Sequence, residues 1–307
     1  MLNQYYPVLD NGFVSLVDKM GDDSSIVQAA RVSYGAGTKT VSDDRGLIRY
    51  LLRQKHTTPI EMMVFKFHIA MPTHCHRQFI RHRMATTNEY SARYSVVPEI
   101  YYDEYSLNLQ SKNNKQGRND SVLDSSEDFK KRINDNEKEA FELYDEMIKA
   151  GVAREIARMH LPLNTYTYFY WKIDLHNLLH FLRLRCDSHA QYEIRQYANT
   201  LAGIVKQCCP LAFEAWEDYS FYASNWTRLD KKFLQYLMYR YGSSDYDFDA
   251  KMVKQHYSES KHHKEIGMSD RELVEFWDKL EEPEVVDFSL PEPKDSLYFE
   301  NMIKNAS

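Results

Sequence analysis

Residues 63–95 read MVFKFHIAMPTHCHRQFIRHRMATTNEYSARYS, and the text changes character twice within them. MVFKFHIAM alternates. Phe65, Phe67, Ile69 and Met71 fall on one side and Lys66 and His68 on the other, the pattern of a strand with one buried face. Pro72 ends it and offers Thr73 as the cap of a helix over 73–84. From Arg81 onward nearly every side chain is polar. Arg81, His82, Arg83 and Arg93 enclose hydroxyls, an amide and the carboxylate of Glu89. Such a stretch lacks the apolar spacing to hold itself in a core, so it reads as a loop.

Upstream, FVSLV (13–17) reads as a strand. DSSIVQAARVSYG (23–35) reads as a helix with Ser25 and Gln28 spaced as a capping box and Gly35 closing the turn. In DDRGLIRYLLRQKH the stripe Leu47, Ile48, Leu51, Leu52 predicts a short helix, and HTTPIE breaks it at Pro59. Downstream, 103–124 turns polar and reads as a mobile surface insertion. A helix follows over about 126–149, with Phe129, Ile133, Phe141, Tyr144 and Ile148 inward and Gly151 as terminator. VAREIARMHLP predicts a short helix stopped by Pro162, and NTYTYFYWKIDL an extended, half-buried segment. HNLLHFLRLRC is helical by pattern. DSHAQYEIRQYANTLAGIVKQ is the clearest helix, with Ser188 and Gln191 as a capping box and Ile194, Tyr197, Ala198, Leu201 and Val205 as its stripe. No internal repeat is visible. Strands followed mostly by helices point to an α+β fold rather than alternating βαβ units.

At 307 residues, with 23 Tyr and 15 Phe, the chain can build one large domain with an appendage. No run of 18 apolar residues would span a membrane. The start, MLNQYYPVLDNGF, has neither the basic flank nor the apolar run of a secretory signal. Cys75, Cys186, Cys208 and Cys209 have no CxxC spacing and read as reduced thiols of a cytoplasmic protein. The net charge of −6 is uneven: Glu265–Ser307 holds 12 Asp/Glu against 4 Lys/Arg, a local −8, leaving about +2 for the rest. The total argues against a general nucleic-acid binder and leaves a small anionic ligand open.

Arg77 and Arg81, like Gln78 and His82, are one helical turn apart. Arg154 and Arg158 repeat the spacing, and Arg183, Arg185 and Arg195 flank the last strong helix. Guanidinium forks suit phosphate or paired carbonyl oxygens. Several of them on different segments could cradle a nucleotide, or could pair with Glu155, Asp187 and Glu193 on the surface. The metal-ligand types His74, Cys75 and His76 are spread around a helix and cannot share one ion. His160, His176, His180 and His189 lie downstream without an HExxH-like arrangement. Ser91 has no GxSxG elbow, and Cys186 fits a small buried thiol or, beside Arg185, an activated one. The residues alone describe a polyanion-binding helical enzyme with no obvious nucleophile, which would need an organic cofactor.

Arg81-His82-Arg83, seven residues, then Ser91, with Asn88-Glu89 before and Arg93-Tyr94 after, resembles the signature of flavin-dependent thymidylate synthases. AARVSYG (29–35), HTTPIE (56–61), ARMHLPLNTYT (157–167) and LRLRCDSHAQYEIRQYA (182–198) are similar to blocks of that family in the same order. The likeness covers roughly residues 10–220. It implies a twisted, largely antiparallel sheet packed with helices over 1–224, the polar insertion at 103–124 being variable, and an acidic extension over 225–307. It implies methylation of dUMP to dTMP, with methylenetetrahydrofolate as carbon donor and NADPH as reductant through FAD. It also implies a homotetramer whose active sites form at subunit junctions.

By the same resemblance Gln78, Arg81, Glu89, Tyr90, Ser91, Ala92, Arg93, Arg158 and Arg185 contact dUMP. Arg185 is the catalytic residue, placed to stabilise charge on the uracil in place of a Cys nucleophile. FAD falls to His56, Thr58, Glu61, Arg81, His82, Arg83, Asn88, Glu89, Asp174, Leu175, His176 and His180. The chain departs from the pattern at Thr86 (Ser is usual), Ala92 (Gly is common), and Asp174, His176 and His180, where Asn, Arg and Asn are frequent. Two other classes, a single-strand RNA binder using Arg and Tyr and a metal-dependent nucleotide hydrolase, stay open on the residues alone.

Overall fold

A computed structural model of the chain describes residues 1–32, 44–112, 117–241, 253–254, 257, 262–281 and 283–305. Ser33, Tyr34 and Gly35, and residues 113–116 of the polar insertion, lie outside the described residues. Two compact units result, Met1–Tyr219 with Asp287–Ser307, and Ser220–Val286.

The first unit is built on a five-stranded antiparallel sheet. Its strands are β1 (Tyr5–Val8), β2 (Gly12–Met20), β3 (Val64–Pro72), β7 (Tyr166–Asp174) and β4 (Thr86–Glu89), in the spatial order β1-β2-β3-β7-β4. An α+β fold is what the pattern predicted. The alternation of β3 is decisive: Phe65, Phe67, Ile69 and Met71 are all fully buried. The aromatic run after Asn164 becomes β7, paired with β3 without a break from Val64↔Asp174 to Pro72↔Tyr166. Helices α4 (Thr73–Phe79), α7 (Leu175–Arg185) and α8 (Tyr192–Cys208) cover this face, with Phe79 edge-on to Trp171 at 4.5 Å. Gly12 is required at the β1–β2 turn, because a Cβ there would meet the Tyr197 hydroxyl, which donates to the Ala70 carbonyl. The sheet's second face is covered at one end by Ile100, Tyr102 and Phe299 over Phe13, Ala70 and Tyr168. Further along it, Tyr170 stacks on His68 and stays 45% exposed.

Thr86–Glu89, read as loop, is an edge strand paired with β7 from Thr86↔Lys172 to Glu89↔Phe169. Its side chains are all exposed, so backbone pairing chiefly holds it, with Glu89 also bonded to Thr167 of β7. Three expected caps move. Asp22, not Ser25, caps the first helix (α1, Asp23–Arg31), and Ser25 is its box partner at the third position. Thr73 donates to the Thr165 carbonyl instead of capping α4. The eighth helix starts at Tyr192 after Gln191, with no side-chain cap from Ser188. The expected helix over 73–84 stops at Phe79.

In the insertion, β5 (Asn108–Gln110) and β6 (Arg118–Val122) form a two-stranded hairpin. Helix α5 (Ser126–Lys149) buries Phe141 and Tyr144 and ends before Gly151, φ +87°, but Phe129, beside Leu107, Leu109 and Leu123 of the insertion, is exposed at 44%. α6 (Arg154–Ala157) runs into a 3-10 turn, Arg158–His160. The expected extension 225–307 divides. Phe288 and Phe299 rejoin the first unit, Phe288 against Phe213 at 5.4 Å. Ser220–Val286 has its own core of Phe233, Leu237, Phe276 and Trp277, with a capping box at Ser269 and Glu272.

Candidate active site

Past α4 the chain turns, His82 N–H donating to the Phe79 carbonyl at 3.1 Å, before it enters β4. Opposite this turn runs α7. Between them lies a cavity of about 490 Å³ lined by Arg81, His82, Arg83, Met84, Ile173, Asn177, His180, Leu184 and Arg185. The α7 contributors recur at 177, 180 and 184, one face of a helix. Three guanidiniums, two imidazoles and an amide meet here, and no carboxylate is among the described lining residues.

The centre of the arrangement is a contact between a cation and a neutral base. The His82 ring stands edge-on to Phe181, centroids 4.7 Å apart, and its Nε2 accepts from Arg185 Nε at 3.1 Å. Accepting requires an unprotonated Nε2. Burial chiefly, then the Arg185 and His180 charges, holds His82 at a pKa of about 4. Burial also pulls the Arg185 guanidinium below its usual value, though arginine keeps its proton at neutral pH. With Nε engaged, the two terminal nitrogens of Arg185 have no partner among the described residues. They are left to a ligand.

The other expected residues fall into separate groups. His56 and Thr58 line a second cavity of about 600 Å³ with Ala29, Ala30, Tyr50, Leu51 and Met62, and the His56 ring is edge-on to Tyr50 at 5.7 Å. Glu61 is exposed beside it, at the end of the one-turn helix α3 (Thr58–Glu61). A third group follows β4. Glu89 Oε1 accepts from Thr167 Oγ1 at 2.7 Å and lies 3.3 Å from His76 Nδ1. The Tyr90 hydroxyl donates to the Val96 carbonyl, and Ser91 Oγ accepts from Arg93 N–H. Arg93 pairs with Glu155 at 2.9 Å, which ties the loop holding Ala92 to α6 and the turn bearing Arg158. Asn88 stays exposed on its strand. Gln78, on α4, donates to Gln191.

Two expected flavin positions are occupied by structural work. Asp174 caps α7, its carboxylate accepting from both the backbone and the side-chain amide of Asn177. Leu175 is fully buried. Neither it, Asp174 nor His176 lines the first cavity, whereas Asn177, Met84 and Leu184 do. The 177–180–184 spacing on a predicted helix would have revealed Asn177 and Leu184; Met84 carried no signal.

Among the described residues no group of three metal-ligating side chains exists. Cys75, Cys186 and Cys209 are buried and Cys208 half-buried, and burial pushes all four thiols upward, away from the thiolate form.

The sequence model of the family described as "Thymidylate synthase complementing protein" matches residues 15–211. A flavin-dependent thymidylate synthase of Thermus thermophilus is 55% identical over 213 residues, 69% of this chain and 78% of that protein. One of Wolbachia pipientis wMel is 51% identical over 222 residues, 71% and 78% of the two chains. Among solved structures, a UMP/dUMP methylase, PolB of Streptomyces cacaoi with 5-Br dUMP, aligns with a TM-score of 0.63 and 30% identity. It covers 70% of this chain and 98% of PolB.

Proposed function

Because the chain belongs to the flavin-dependent thymidylate synthase family, we propose that it is a methyltransferase that converts dUMP to dTMP. In this reading methylenetetrahydrofolate gives the carbon, and NADPH the reducing equivalents by way of FAD. The observation that carries it is the Arg185–His82 contact in a cavity with no carboxylate among its described lining residues. Guanidiniums that converge without a carboxylate partner favour an anion beside them, and a nucleotide phosphate or a flavin pyrophosphate is such an anion. The donor set therefore fits the cofactor.

Arg81, His82, Arg83, His180 and Asn177 would hold FAD in this cavity, with Asn88 and Glu89 from the edge strand and His56, Thr58 and Glu61 from the second cavity. When bound, the flavin supplies the hydride. The protein's own part is electrostatic and positional. Arg185 presents two N–H edges that His82 fixes in direction, and these stabilise negative charge on a pyrimidine oxygen as the carbon donor is attacked. Gln78, Glu89, Ser91, Arg93 and Arg158 orient the nucleotide. Ser91, with its hydroxyl accepting from Arg93 N–H, is a positioning group. The raised thiols agree with a route that forms no enzyme–nucleotide bond.

The candidate residues stand in three groups within one chain, which supports completion of each site by neighbouring copies in a homotetramer. Met84 (70% exposed) and Tyr94 (80%), large apolar side chains flanking the Arg-rich loop, support the same reading. No described helix is long and apolar enough to cross a membrane, and a cytoplasmic location belongs to this proposal. The purified protein is expected to show a flavin spectrum that bleaches under NADPH, and to release the C5 tritium of labelled dUMP only with methylenetetrahydrofolate and NADPH present. A protein colourless even after incubation with FAD would refute the assignment.

A further inference from the structure

The insertion hairpin does not stand clear of the nucleotide residues. Arg118, the first residue of β6, donates from Nη1 to Glu193 Oε1 at 3.1 Å and lays its guanidinium over the Tyr192 ring, 4.9 Å from the centroid. Glu193 is 4% exposed. Its other oxygen accepts from Gln191 Nε2 at 2.8 Å, and Gln191 Oε1 accepts in turn from Gln78 Nε2 at 2.5 Å.

From this chain of contacts we infer that Arg118 is a positioning residue that fixes which way the Gln78 amide faces the nucleotide. The inference rests on the reading that Gln78 touches dUMP. A carboxylate can only accept hydrogen bonds, so Glu193 obliges Gln191 to turn its NH₂ inward. The carbonyl of Gln191 then faces Gln78, which must answer with its own NH₂. Gln78 is left presenting its carbonyl oxygen and its second N–H, each in a fixed direction. The carbonyl accepts from a donor on the substrate, the ring imide N–H or the sugar hydroxyl. Without Arg118 the nearly buried carboxylate loses its cation and the fixed direction of the amide pair is released.

Steady-state kinetics with dUMP on the flavin-loaded enzyme tests this. R118A and E193Q are each expected to raise the dUMP KM roughly tenfold, about 1.4 kcal/mol, with kcat and flavin content unchanged. R118K, which keeps a charge but not the stacked fork, should recover part of the loss. In a Q78A background R118A should add nothing, a non-additivity that a hairpin acting only on stability would not produce. If Q78A raises KM while R118A and E193Q leave it unmoved, or if R118A adds its full effect to Q78A, the relay is wrong. If Q78A itself leaves KM unchanged, the nucleotide role of Gln78 falls first and the relay with it.

Discussion

Two arginine clusters in the first unit read alike in sequence and behave differently in the fold. On α2 (Asp44–Arg53), Arg45 and Arg49 both pair with Glu214. Arg49 also reaches Asp218 at 2.6 Å and the Tyr219 hydroxyl at 3.0 Å, its guanidinium 4.8 Å from that ring's centroid. Every terminal nitrogen of Arg49 has an answer within the chain. Around the first cavity Arg81, Arg83 and Arg185 have no carboxylate partner among the described residues, and the one contact Arg185 makes is to a neutral imidazole. Arg45 and Arg49 have their counter-charges supplied within the chain and hold α2 in place, whereas the cavity arginines leave their terminal nitrogens to a ligand. Spacing in the sequence cannot separate the two, because the deciding carboxylates are distant: Glu214 is 165 residues from Arg49.

The largest expected effect breaks the cavity side of that contrast. R185K keeps a positive charge but replaces two directed N–H edges and the bond to His82 with one mobile ammonium. Turnover should fall about a hundredfold, the scale of ~3 kcal/mol of lost transition-state stabilisation, while bound flavin and dUMP affinity change little. Single-turnover measurement of dTMP formation separates these quantities. Normal turnover by R185K would remove the catalytic role.

A smaller effect sharpens the claim that the neutral partner matters. His82 is held at a pKa of about 4 against 6.5 unfolded, so the unfolded chain takes up its proton first as pH falls. The sign follows: this group's contribution to stability is complete above pH 6.5 and declines as pH drops toward 4. In the same window a protonated Nε2 can no longer accept from Arg185, and two cations face each other. Activity should show an acid limb well below the ordinary histidine range. In H82N, which offers an acceptor that does not titrate, that limb should disappear and leave a flat, lower profile. An unchanged limb in H82N would assign it to another group.

How much of this was legible beforehand depended on the length scale of the interaction. The core strand β3 was plain because its apolar residues are spaced by two in one short run, and the Arg-rich turn stood out by composition. Thr86–Glu89 was hidden as a strand, since its side chains carry no pattern and its hydrogen bonds run to β7 some eighty residues on. The return of 287–305 rests on single aromatics, Phe288 and Phe299, in polar text, where no period exists to read. Asp174 carries two readings for a related reason. A position marked for cofactor contact by resemblance is also a good N-cap residue, and in this chain the cap claims both of its oxygens.

The smallest expected effect tests the scaffold side. E214Q removes the charge that answers Arg45 and Arg49, at a site where Glu214 is itself 39% exposed. Exposed ion pairs contribute at most about 1 kcal/mol, for which solvent and salt screening are responsible, so the melting temperature should drop by no more than about 2–4 °C. Arg49 would still hold Asp218 and Tyr219, so α2 keeps its place against α9 (Pro210–Trp216). The dUMP KM, kcat and flavin content should all match the parent, because Arg45 and Arg49 find their partners within the chain and line neither cavity. A fall in flavin content with the melting temperature preserved would mean that the α2 arginines act through the His56 cavity on the helix's other face. Compensation within the chain would then be a poor guide to which arginines bind.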